Sequence, residues 1–160
     1  VTCPLVKDDI TSFSEYNDVD SIACMGRVVS NLRTDQRLYA LGETLDENAG
    51  SGTELVFNTF TRKDIDPSRT DSYSWSGERY SIKRYSETTI PKDKVEGVFT
   101  VSMDYEIHDR ETDRVVSASE EFNIRGYDEE HIRSIWSDLD IRIVDTESES
   151  STETFYCSLS

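Results

Sequence analysis

Hydrophobic and polar residues alternate most strictly over positions 98–107, where Phe99, Val101, Met103, Tyr105 and Ile107 are interleaved with Val98, Thr100, Ser102, Asp104 and Glu106. A period of two is the side-chain pitch of an extended chain, so this stretch predicts a half-buried β-strand. Positions 115–124 predict its antiparallel return. The register that satisfies both patterns sets Val116 opposite Ile107, Ala118 opposite Tyr105, Phe122 opposite Val101 and Ile124 opposite Phe99. It also brings Asp109 across from Arg114 and Arg110 across from Asp113, favourable charge pairs at the hairpin end. One residue resists the pattern: Glu120 points inward opposite Met103, which predicts a bulge at Glu120–Glu121 to turn the carboxylate out.

Further extended segments are predicted at 21–29, 36–45, 53–61, 80–90, 140–144 and 155–159, separated by polar connections. A helix is predicted after Gly126, with Asp128 as its cap, Glu129 and Glu130 in its first turn, and Ile132, Ile135, Trp136 and Leu139 on one face. Strand-dominated order with one short surface helix predicts an all-β fold, an antiparallel β-sandwich of about eight strands, with a closed β-barrel as the alternative.

The length of 160 residues suits one such domain spanning 1–160. A net charge of −16 repels nucleic acid, and no apolar run approaches the ~20 residues of a spanning helix, so neither a nucleic-acid partner nor membrane insertion is expected. The chain begins at Val1, consistent with a removed leader or with trimming, which the sequence does not separate. Of the three cysteines, Cys24 and Cys157 both sit in apolar alternation and form the candidate disulfide, with Cys3–Cys24 as the competing pair. Such a bond implies a secreted or extracellular-surface location.

No catalytic, metal or cofactor signature emerges. His108 and His131 neighbour neither a cysteine nor a nucleophile elbow, no zinc-type spacing occurs, and the seven glycines form no phosphate loop or dinucleotide fingerprint. Acidic clusters such as 18–20, 46–47, 64–66 and 109–113 offer oxygen ligands for calcium, but none has the EF-hand spacing, and solvated loops explain them as well. These absences favour a non-enzyme without a cofactor.

Charge is unevenly spread. Positions 59–94 carry a net +2 while the remainder carries −18. Within that near-neutral stretch lie Tyr73, Trp75, Arg79, Tyr80, Lys83, Arg84 and Tyr85, a composition typical of recognition surfaces, and these seven are the candidate binding residues. The alternative role for Tyr73, Trp75 and Tyr80 is to plug a sandwich end beneath a long connection at 63–77. The polar run at 145–154 predicts a mobile acidic loop or edge. Together these features predict a noncatalytic protein-binding module for a cationic protein partner, as in host–pathogen recognition. The alternatives are a capsid, spike or adhesin subunit and a small-molecule carrier.

Overall fold

The computed structural model describes all residues except 1–7, 15, 17, 18 and 92–94. Its elements in chain order are β1 (Ser21–Cys24), α1 (Asp35–Asn48), β2 (Glu54–Phe60), β3 (Thr70–Ser76), β4 (Tyr80–Thr89), β5 (Val98–Asp109), β6 (Arg114–Arg125), α2 (Glu129–Ile135), β7 (Ile141–Glu149) and β8 (Thr152–Leu159). They fall into two compact units, Val1–Asp64 with Gly126–Ser160, and Ile65–Arg125.

The first unit is an α/β structure. Its sheet has the order β1-β2-β8-β7, with β1 parallel to β2 and β8 antiparallel to both β2 and β7. Strands β1, β2 and β7 therefore share one direction, and β8 is inserted against it. The parallel β1–β2 pair requires a crossover, which α1 supplies. This overturns the expected all-β sandwich, and the barrel with it, because the segment at 36–45 is helical rather than extended. Leu38, Leu41 and Leu45 recur at spacings of three and four and are buried, and the Thr34 hydroxyl caps the helix by accepting from the Arg37 backbone N–H. The strand expected over 21–29 also stops early, because Gly26 and Arg27 take left-handed backbone conformations and Val28–Asn31 coils into a 3₁₀ turn.

One apolar core fills this unit. Leu55 and Phe57 of β2 share a face with Cys157 and Phe155 of β8, and α1 and α2 bring Leu38, Leu41, Leu45, Ile132 and Trp136 onto it. Phe57 stacks on Phe155 at 4.9 Å and meets Trp136 edge-on at 5.5 Å, while the Trp136 indole donates to the Leu38 carbonyl at 2.9 Å. The second helix starts where expected, capped by Asp128, whose side chain accepts from the His131 backbone N–H. The acidic run at 145–154 is not a loop but the β7–β8 hairpin, turning at Ser150, with β7 forming a sheet edge that bulges between Ile143 and Asp145.

The second unit is a four-stranded antiparallel sheet, β3-β4-β5-β6. The β5–β6 register is the one the alternation specifies, from Val98 opposite Arg125 to Asp109 opposite Arg114. The expected bulge at Glu120 is absent: Glu120 pairs regularly with Met103 and accepts from the Tyr105 hydroxyl at 2.6 Å. The reason is that Glu120 stays exposed, so its carboxylate needs no rescue. The connection expected at 63–77 contains β3, exposed along its whole length. Among the described residues, no helix is long and apolar enough to cross a membrane.

Candidate functional site

In open α/β sheets, ligands bind outside the carboxyl ends of the parallel strands. Here that rim is formed by the residues following β1 and β2. Gly26 has φ +77° and only open space within 4 Å of where a Cβ would stand. Arg27, with φ 62°, is pinned three ways: its backbone N–H donates to Asn58 Oδ1 at 2.7 Å, its Nε to Thr152 Oγ1 at 2.9 Å, and its guanidinium lies 4.6 Å from the centre of the Phe60 ring. A non-glycine residue held in the left-handed region is strained, and such strain concentrates at functional rims. Beneath it, Ser30 and Thr59 share a buried hydrogen bond of 2.8 Å, and Ser30 Oγ also accepts from the Phe60 backbone N–H at 3.0 Å. Next in line, Thr61 Oγ1 is buried without a hydrogen-bond partner. Beside β1 the core opens into an apolar pocket of about 290 Å³ lined by residues including Ile10, Tyr16, Ile22, Cys24 and Met25.

None of these rim residues stood out in the sequence. The available signal was the order apolar strand, Gly26, then the Thr34–Asp35 cap, a strand–turn–helix pattern hidden by reading 36–45 as extended.

The candidate disulfide does not form. Cys24 and Cys157 are free thiols. Cys24 lies opposite Phe57 and Cys157 opposite Leu55, so all of β2 stands between them. Two strand spacings of about 4.8 Å exceed the ~7 Å limit for bridging Cα atoms. Burial pushes the Cys24 thiol up and holds that of Cys157 at about 12. Cys3 lies outside the described residues.

The seven candidate binding residues all belong to the second unit, and the sheet divides them. Tyr73, Trp75, Tyr80 and Arg84 occupy register positions on one face, while Lys83 and Tyr85 lie on the other. Arg79 sits in the β3–β4 turn, where it pairs with Asp109 at 3.1 Å and stacks on Tyr80 at 4.9 Å. Tyr73, Trp75, Tyr80 and Tyr85 are all exposed. At the β5–β6 hairpin end, Asp113 pairs with His108 at 2.8 Å rather than with Arg110, which instead donates to the Gly77 carbonyl at 3.0 Å. Among the described residues, no group of three or more His, Cys, Asp or Glu is placed to hold a metal ion.

Comparison with solved structures decides the fold. The chain superimposes on an S-adenosylmethionine-dependent methyltransferase from Clostridium acetobutylicum with a TM-score of 0.79 and 15% identity, covering 99% of this chain and 65% of that one. The fold is Rossmann-like α/β. CalS10, an amino pentose methyltransferase from Micromonospora echinaspora, matches with a TM-score of 0.77 at 13% identity over 96% of this chain and 63% of its own. KedS8, a sugar N-methyltransferase from Streptoalloteichus, matches at 0.74 and 12% over 92% and 60%. The chain thus spans less than two thirds of the length of these Rossmann-like neighbours. No protein-family model and no curated protein matches the sequence.

These neighbours overturn the expectation of a noncatalytic, disulfide-bonded β-sandwich binding module: the Rossmann-like fold found here is one that methyltransferases use.

Proposed function

We propose that these residues form part of an S-adenosylmethionine-dependent methyltransferase acting on an amine-bearing, sugar-like acceptor. The observation that carries this reading is the sheet itself. A reversed strand β8 lies between the like-directed β2 and β7, and the whole chain superimposes on methyltransferases whose stated acceptors include an amino pentose and a sugar nitrogen. Net charge supports the acceptor class. A chain at −16 attracts a cationic amine from most directions, and the β7–β8 hairpin carries Glu147, Glu149 and Glu153 near the carboxyl-end rim, since Thr152 lies opposite Phe60.

The methyl donor fits these residues only in part. Gly26 leaves room for a ligand to approach the backbone at the end of β1, but these 160 residues contain no glycine-rich strand-to-helix turn to cradle a nucleoside. They therefore do not hold S-adenosylmethionine by themselves. The edge of β1 and the apolar pocket beside it are where a further parallel α/β segment would complete the sheet and the donor site.

The test is transfer of tritiated methyl from S-adenosylmethionine to an aminated hexose or pentose by the complete product of the encoding gene. Label in the acceptor, dependent on the amine, is the expected result. No transfer, together with no binding of S-adenosylhomocysteine, overturns the reading.

A further inference from the structure

Carboxylates outnumber cations in this chain by 33 to 17, so close to half of them go without a basic partner wherever the cations stand. In the first unit the deficit gathers at the carboxyl end of α1. That helix carries Glu43, Asp46 and Glu47 in its second half and no basic residue in its last turn. The helix dipole already places about half a negative charge at this end, and Glu43 and Glu47 stand four residues apart on one face, so each acid opposes both the helix and its neighbours. The connection from α2 to β7 adds two more. Asp138 accepts from the Tyr39 hydroxyl at 3.2 Å, and the Asp140 backbone N–H donates to Asp46 Oδ1 at 2.9 Å, which brings both residues against α1. The Tyr39 hydroxyl is pushed above the usual tyrosine range, first by the hydrogen bond to Asp138, then by burial and by the charges of Asp138, Glu43 and Asp46.

The nearby cations are committed elsewhere. Arg37, toward the opposite end of α1, holds Asp9 at 2.8 Å, and Arg133 of α2 holds Glu129 at 2.6 Å. Arg142 of β7 alternates with Ile141 and Ile143 and so lies on the sheet face away from the core that α1 and α2 cover. Among the described residues, none of the five carboxylates forms an ion pair, and no three are placed to chelate a metal ion.

We infer that the carboxyl end of α1 makes the first unit salt-requiring: its five carboxylates loosen the helix at low ionic strength, and the mobile cations of a concentrated electrolyte, rather than a chelated metal, hold it in place. At 0.01 M salt the Debye length is about 30 Å, so all five repel one another; at 1 M it is about 3 Å, shorter than the ~5–6 Å between residues on successive turns. Because Leu38, Leu41 and Leu45 of the same helix cover the core, loosening α1 loosens the unit. The fold is thereby suited to a medium of high ionic strength, where self-repulsion at −16 is screened. The inference is independent of the methyl-transfer reading.

Amide hydrogen exchange of the complete gene product, in about 20 mM and about 1 M KCl, tests it. Protection at Leu45–Asn48 should rise with salt by about tenfold or more, against less than about twofold along β5 and β6. This comparison needs no variant, so it stands even if a variant misfolds. Glu47→Lys puts a charge suited to the helix carboxyl end where a repelling one stood. At low salt it should raise α1 protection about fivefold or more, Glu47→Gln by less, and in 1 M KCl both should match wild type within about twofold. Glu78→Lys changes the net charge equally at an exposed position of the antiparallel unit and should leave α1 unchanged. Exchange of α1 indifferent to KCl, an equal gain along β5 and β6, a Glu47→Lys variant no better protected at low salt than wild type, or equal protection of α1 by Glu78→Lys overturns the inference.

Discussion

Arg27 and Phe60 close the carboxyl end of the parallel strand pair, the guanidinium lying 4.6 Å from the ring centre while Arg27 itself holds φ at 62°. The contact contributes about 0.5–1 kcal/mol at such an exposed site, set against a left-handed backbone that costs a β-branched residue roughly 1–2 kcal/mol. Arg27→Val loses the contact and keeps the strain. Arg27→Gly loses the contact and relieves it. Urea denaturation should therefore show Arg27→Val less stable than Arg27→Gly by about 1–2 kcal/mol; equal midpoints would show that this turn relaxes freely.

Gly42 permits the close approach of α1 to Trp136. A Cβ there would stand 2.5 Å from Trp136 Nε1 and 2.7 Å from Leu139 Cδ1. Alanine gains about 1 kcal/mol of helix propensity over glycine, but overpacking a filled core costs about 1–3 kcal/mol. Gly42→Ala should lower the melting temperature, against the usual effect of this exchange in a helix. The complementary Trp136→Ala should destabilise by about 3–5 kcal/mol, through the cavity left beside Phe57 and the loss of the indole's hydrogen bond to the Leu38 carbonyl.

Cys157 links stability to alkaline pH. Its thiol is raised from 9.0 to about 12 because burial opposes the thiolate. The folded state keeps the proton that the unfolded chain releases, so this residue's contribution is complete below pH 9 and is lost as pH rises toward 12. Urea midpoints followed across that window should fall more steeply for the wild type than for Cys157→Ala. The same burial should leave Cys157 unreactive toward alkylating reagents until the protein unfolds. Parallel curves for the two proteins would remove Cys157 as the cause.

The β5–β6 hairpin was legible residue for residue because strict alternation leaves no second register: a shift by one reverses every side chain. The second helix was legible because Asp128, the first-turn glutamates and the apolar spacing all agree. The first helix was missed. Its Leu38, Leu41 and Leu45 spacing is helical, but Gly42 interrupts the stripe and Tyr39 and Ala40 blur it toward an alternating pattern. That single misreading removed the parallel crossover and with it the α/β class. The rim residues followed it out of view, since Arg27 and Thr61 acquire significance only once β1 and β2 are known to end side by side. The exposed rings at Tyr73 and Trp75 were anticipated, although their division from Lys83 and Tyr85 required the register.

Amide hydrogen exchange with and without S-adenosylhomocysteine, on the complete gene product, locates the site. The rim at Met25–Gly26–Arg27 and Phe60–Thr61 should exchange more slowly with the ligand bound, while β3 of the antiparallel unit should not change. Ligand binding with no protection at that rim, or protection confined to β3 and β4, would contradict the assignment of function to the carboxyl ends of the parallel strands.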